Sequence, residues 1–314
     1  MNSPNRTIAP KIHDAIDFEF TLPPIDAGKL DNGIPFYWLS GGVQDVVEVD
    51  WVFPAGLWQE PKAAVALACG GLLKNGTSQK TAHQIHEAIE FFGANLQVST
   101  GDDYTVISLF SLTKDLPLLL PIVQEILNDA QFPEEELALY KQNAVQRLMV
   151  SLRQCDFVAN QRIDALLYGE EHPYGRYSKV EKIEALNRGD LTEFFKENFD
   201  LGKAKIFMAG KVGNTEIDLV NKFFGAAKVE LSTNGNSKII QPGIAPIGQK
   251  FHETNDANGV QAAIRIAREF PNHHHPDFPK MVILNTLFGG YFGSRLMSNI
   301  REEKGYTYGI HSTL

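Results

Sequence analysis

The strongest constraint on the fold is that the chain states one plan twice. Near its start, Val46 to Phe53 (VVEVDWVF) alternates apolar and polar residues as a half-buried strand does, and Pro54-Ala55-Gly56 closes it. An apolar helix over Ala63 to Leu73 follows, interrupted by Gly70-Gly71. Near its end, Val260 to Ala267 (VQAAIRIA) alternates in the same way, and Phe278 to Phe288 reads as an apolar helix stopping at Gly289-Gly290. A strand and a helix with one apolar face each must bury those faces together. Two α+β units of one plan are therefore predicted, each a mostly antiparallel sheet covered by helices on one face. The first is placed at 1–229 and the second at 250–314. The Ser-, Asn-, Gly- and Pro-rich stretch 230–249 serves as linker. The chain ends inside what should be a strand, so the second unit is expected to be truncated.

Within the first unit, Asn32-Gly33 in LDNGIPFYWL marks a hairpin turn, after an irregular lead-in to Pro24. A helix over Ala82 to Phe92 precedes two strands, Asn95 to Thr100 and Tyr104 to Leu112. The middle is helical: Leu116 to Ala130 despite Pro121, a helix opened by Pro133 and three acids and running to Arg153, Asp156 to Tyr168, Lys179 to Leu186, and Asp190 to Asn198. His172 to Arg176 (HPYGR) is a loop. Ala204 to Ala209 should be a buried strand and Glu216 to Phe224 a helix.

Charge narrows the function classes. With 29 basic against 38 acidic residues the net charge is -9, and no Lys/Arg cluster with interleaved aromatics offers a nucleic-acid surface. Cys69 and Cys155 form no CxxC pair and read as buried thiols. No run of about twenty apolar residues suggests a membrane span. The N-terminus has no apolar run behind a basic start, which points to the cytoplasm, or to the periplasm if a leader has been removed.

The segment Asn285 to Leu314 carries the candidate chemistry. A Gly-rich turn (Gly289, Gly290, Gly293) leads into a short helix, SRLMSNIREEK, which Gly305 ends. Alternation then resumes at Tyr306, Tyr308 and Ile310, the pattern of a strand. A guanidinium fork at Arg301 and a phenol at Tyr308 could converge on one carbonyl or carboxylate. The plainer readings are a solvated helix arginine beside Glu302 and Glu303, and a tyrosine at the edge of the core. The glycines do not follow a strand with phosphate-binding spacing, so a nucleotide loop is a poor reading.

Gly-Gly followed by SRL and REEKGYTYG resembles the C-terminal signature of the pitrilysin-like (M16) zinc peptidases. So do the Asn32-Gly33 hairpin, FPAGLWQEP (Phe53 to Pro61), LLKNGT (Leu72 to Thr77), FFGANLQVSTGDDYT (Phe91 to Thr105), FPEEEL (Phe132 to Leu137) and HPYGR. The resemblance implies the LuxS/MPP-like α+β fold. In active members an inverted motif, His-x-x-Glu-His, precedes the segment matching LLKNGT. Its histidine, glutamate and second histidine fall here on Leu67, Gly70 and Gly71, none of which can bind zinc or take a proton. The third ligand, a glutamate on the long helix, is also missing: Lys141 to Cys155 contains no Asp or Glu.

The family's other functional element, an Arg and a Tyr seven residues apart that hold the substrate backbone, matches Arg301 and Tyr308. Zinc motif lost and Arg/Tyr kept resembles the non-catalytic subunit of two-subunit members. The implied partners are a peptide and a zinc-motif M16 subunit in a heterodimer, with zinc in the partner, no cofactor or metal here and no catalytic residue in this chain. A homodimer in isolation is compatible with this. Two other functions remain: a scaffold or peptide-binding subunit with no part in hydrolysis, and a peptidase whose metal has moved to His83 and His86. His83, His86 and Glu87 lack the required spacing, and His273-His274-His275 reads as a solvated loop.

Overall fold

A computed structural model describes residues 21, 23–231, 250–270 and 272–314. The expected linker 230–249 lies outside these apart from its first two residues, as does almost all of the lead-in. The described residues group into two compact units. One is built on the sheet; the other joins residues 141–186 to the chain from 250 onward.

The first unit holds a six-stranded mixed sheet in the order β1-β2-β6-β3-β5-β4. Its strands are β1 (Asp26–Lys29), β2 (Pro35–Ser40), β3 (Val46–Phe53), β4 (Asn95–Thr100), β5 (Thr105–Leu112) and β6 (Lys205–Gly210). β2 and β6 run parallel, and the other pairings are antiparallel. β1 and β2 form the hairpin, and Gly33 takes the left-handed backbone (φ +91) that its turn requires. The Asn32 amide donates to the carbonyls of Phe224 and Ala227, so the turn is fastened to a distant part of the chain.

Alternation decides which sheet face is buried. Val47, Val49, Trp51 and Phe53 of β3, with Ile107 and Leu109 of β5 and Ile206 and Met208 of β6, are all withdrawn from solvent. Trp51 lies opposite Ile107 on one side and Ile206 on the other, and its ring meets Phe224 at 4.9 Å. The helices of this unit are α1 (Val65–Leu72), α2 (Ala82–Glu90), α3 (Leu116–Asp129) and the start of α4 (Glu134–Ser151). α3 runs through Pro121. One backbone hydrogen bond is forfeited there, against the burial of Leu119, Leu120, Val123, Ile126 and Leu127.

The second unit takes the rest of α4, then α5 (Cys155–Tyr168) and α6 (Val180–Glu184). α7 (Arg188–Asn198) and α8 (Asn214–Val220) return to the first unit, and α9 (Phe278–Asn285) belongs to the second.

Two expectations about the second unit fail. Val260 to Ala267 is extended chain rather than a strand, with Val260, Ile264 and Ile266 almost wholly exposed. Tyr306 to Ile310 is likewise irregular. Alternation supplies a strand with two faces, but a strand exists only against a hydrogen-bonding neighbour. Among the described residues neither segment has one. Instead, three polar anchors fix the stretch from 253 to 265. Glu253 pairs with Arg162, the Asn255 amide donates to the carbonyls of Leu152 and Arg153 at 3.2 Å, and Arg265 reaches Asp156 at 2.9 Å.

Candidate functional site

α1 carries Leu67, Gly70 and Gly71 at positions i, i+3 and i+4, which lie along one helical face. The buried carboxylate of Glu60 accepts from the Ala66 amide at 3.1 Å and satisfies part of the helix start. The helix does not break at its glycines. They serve close approach instead. A Cβ on Gly70 would stand 2.1 Å from Thr100 Oγ1 of β4, and one on Gly71 would stand 2.9 Å from Tyr140 Cε2 of α4. The space beside Gly70 and Gly71 is thus occupied by a hydroxyl and an aromatic ring from neighbouring elements. Thr100 Oγ1 is itself engaged with the buried Thr105 hydroxyl at 3.1 Å. Leu67, the third position, is exposed. Cys69 on the inner side of α1 is fully buried, which pushes its thiol well above the ordinary range and leaves it inert.

Just past α1, α2 begins with a capping box between Thr81 and Gln84. It leads to an open cleft of about 540 Å³ lined by Asn75, His83, His86, Glu87, Glu90 and Glu136. His83 Nδ1 stands 3.9 Å from Glu87 Oε2, and the Asn75 amide donates to Glu136 at 2.7 Å. Among the described residues no group of three or more His, Cys, Asp or Glu side chains is arranged to hold a metal ion. Nor is any helix long and apolar enough to cross a membrane.

In the second unit the Gly-rich turn also has a packing role. A Cβ on Gly289 would meet the Ser312 amide nitrogen at 2.7 Å. With no side chain there, the Gly289 carbonyl accepts from that amide at 3.1 Å, and the Asn285 amide donates to the Ser312 carbonyl at 3.1 Å. The final residues are thereby clamped to the end of α9. Gly293 leaves room for the Tyr291 ring, whereas Gly290 meets nothing closer than 3.4 Å. After Ser294 the chain winds into a helix whose Met297–Glu303 part is π-type. Gly305 closes it in the left-handed conformation (φ +63), and its amide donates to the Arg301 carbonyl at 3.1 Å.

Arg301 sits in the last turn of this helix, where its charge complements the helix dipole. Its guanidinium carbon lies 4.6 Å from the centroid of the Phe292 ring, and Nη1 is 3.6 Å from Glu302. Tyr308 is fully exposed in a small loop held by Thr307 and Gly309. The structure places both side chains in the segment the sequence marked, but brings neither onto the other. Sequence reasoning missed Thr100, Tyr140, Phe292 and Ser312. Paired glycines inside a helix were the one available hint, since they mark close approach by something.

Residues 42–171 match the insulinase (peptidase family M16) domain, and residues 185–314 match the peptidase M16 inactive domain. The chain belongs to the pitrilysin-like M16 peptidase family. It is 22% identical over 241 residues to an uncharacterized zinc protease of Bacillus subtilis, a match covering 76% of this chain and 56% of that protein. A probable mitochondrial-processing peptidase subunit beta of Schizosaccharomyces pombe is 25% identical over 227 residues, covering 69% of this chain and 48% of the relative. This chain thus spans about half the length of these curated relatives. The M16 inactive domain of Pseudomonas fluorescens shares the fold, with a TM-score of 0.73 at 22% identity, over 93% of this chain and 71% of that one. Among its described residues this member of the family shows no catalytic metal-binding set.

Proposed function

We propose that this chain is the non-catalytic, peptide-holding subunit of a two-subunit M16 peptidase. Arg301 donates from its fork to a carbonyl or carboxylate of an extended peptide, and the Tyr308 phenol holds the same segment. A partner subunit brings zinc, its ligands and the glutamate base, and the two close on the peptide as a heterodimer. In the same reading, 1–229 and 250–314 are two units of one plan joined through 230–249.

The observation that carries this is a contrast between two places in the chain. The zinc positions on α1 are blank and packed over by Thr100 and Tyr140, while Arg301 and Tyr308 are retained at the surface. A protein that had lost all peptide chemistry would have no need of a half-buried arginine and an exposed tyrosine in a segment clamped at Gly289. Support also comes from a relative whose name makes it one subunit of a processing peptidase.

The test is to assay the purified chain for peptide hydrolysis alone and mixed with an M16 subunit that has an intact His-x-x-Glu-His motif. Hydrolysis is expected only in the mixture. Hydrolysis by this chain alone, or no gain on mixing across candidate zinc subunits, would sink the reading.

A further inference from the structure

We infer that Phe292 is a positioning residue for Arg301, a shelf that holds the guanidinium face so that its N–H edges remain available to a peptide carbonyl or carboxylate. The inference rests on the peptide-holding role proposed above and adds a residue that role does not name. It begins from the surroundings of Arg301. Two carboxylates follow it directly in sequence, and an arginine with a long flexible stem would ordinarily fold onto one of them. Neither neighbour holds it in a close hydrogen bond; Glu302 makes only a loose ion pair. Glu303 accepts from the Asn299 amide at 3.0 Å, so one of its oxygens is already engaged. Glu302 Oε1 stands 3.6 Å from Arg301 Nη1, beyond a well-made hydrogen bond. Beside that loose ion pair, the guanidinium lies over a ring, its carbon 4.6 Å from the centroid and well inside cation–π range.

That ring is held in place by the chain around it. Ser294 donates its amide to the Tyr291 carbonyl at 3.0 Å, so Tyr291 to Ser294 is a tight turn with Phe292 at its corner. Ser294 is fully buried, its carbonyl accepts from the Ser298 amide at 2.9 Å, and the turn therefore runs straight into the helix that bears Arg301. Gly293 has no side chain, so the Tyr291 ring packs across it at a distance no Cβ would tolerate. Phe292 itself is 68% exposed, so core burial does not explain its place. A large exposed aromatic at a fixed corner, under a cation retained from a substrate-binding pair, is explained by what it does to the cation. In this inference the ring takes up the face of the guanidinium and leaves the donors in its plane for the peptide.

The experiment measures binding of a fluorescein-labelled casein peptide to the full chain by anisotropy, for wild type and four variants. Phe292→Leu keeps the bulk and removes the π face; Phe292→Tyr and Phe292→Trp restore it; Arg301→Ala removes the cation. Thermal melts of the same proteins check folding, and an exposed side chain should leave them unchanged. The expected result is peptide binding that Arg301→Ala abolishes, that Phe292→Leu weakens about two- to fivefold, and that Phe292→Tyr or Phe292→Trp leaves within about twofold of wild type. If Arg301→Ala weakens binding and Phe292→Leu does not, or if Leu, Tyr and Trp behave alike, the shelf is overturned and the role of Arg301 stands. If the peptide does not bind, or Arg301→Ala is without effect, the underlying reading falls and the shelf with it.

Discussion

On α1 the space beside Gly70 and Gly71 is closed by Thr100 Oγ1 and the Tyr140 ring, whereas Arg301 and Tyr308 stand at the surface of their own unit. In the reading proposed above, these two places correspond to the zinc motif and the peptide grip of the family. Here they obey different physics. At the first, side chains that would do chemistry have been replaced by hydrogen atoms, and the void is filled by neighbours, so the site now contributes packing. At the second, nothing is buried by the tyrosine, and the arginine, 32% exposed, rests against the Phe292 ring. Tyr308 adds almost nothing to stability, and in the reading proposed above both side chains serve a peptide that they touch from outside. Of the three positions only Gly70 is buried, and there the close-packed interior leaves no open gap. A surface grip has no gap to fill.

The largest effect that would break this contrast comes from restoring the lost motif. Leu67→His, Gly70→Glu and Gly71→His together should not create a zinc site, because the two glycine positions collide with Thr100 and Tyr140. We expect a loss of about 1–3 kcal/mol from overpacking, read as a melting temperature lower by several degrees, and no stoichiometric zinc in metal analysis. Zinc uptake with unchanged stability would mean that the space is open after all. A smaller change sharpens the point. Gly70→Ala alone should be destabilising, while Gly70→Ala with Thr100→Ala should recover most of the loss, because the obstructing oxygen is gone. Two independent, additive losses in that cycle would refute the close approach.

In the second unit the matching perturbation is Gly289→Ala. It should lower global stability little but release the last residues, since a Cβ there meets the Ser312 amide. Faster amide exchange at Ser312 is the expected readout. The least effect concerns Asp129 at the end of α3, which faces Ser78 just beyond the LLKNGT segment. The Ser78 hydroxyl and amide hold its carboxylate below the ordinary range. A depressed folded-state value means that its contribution is present above the unfolded carboxylate value, near about 3.9, and is lost as pH falls through the folded one. Ser78→Ala should therefore shift the melting temperature slightly at neutral pH and not at all in strong acid. An equal shift at both would point to some other cause.

Much of the first unit was legible. β3 occupies the very residues that alternation marks, the Asn32-Gly33 turn sits where its φ demands glycine, and α4 starts behind Pro133 with its three acids. Local patterns suffice when the neighbours that satisfy them are present. Val260 to Ala267 has the same quality of pattern and no strand beside it among the described residues, so the pattern alone does not make it one. The site divides similarly. Leu67, Gly70 and Gly71 are blank by composition, which any reading of the residues reveals. That Thr100 and Tyr140 fill the space is a matter of tertiary contact and was not legible. Phe292 was equally hidden: nothing in SRL or REEKG says that a phenylalanine in the preceding turn lies under Arg301.

The most direct measurement is kcat/KM for peptide hydrolysis by the mixture of this chain with a zinc-motif subunit, comparing wild type with Arg301→Ala. A charge-assisted hydrogen bond to the substrate is worth about 1.5–3 kcal/mol, so the variant should be roughly tenfold to a hundredfold slower. It should still bind the zinc subunit as tightly as before. Equal kcat/KM for the two proteins in a fully assembled complex would contradict the claim that this chain survives in its family as the half that holds the peptide.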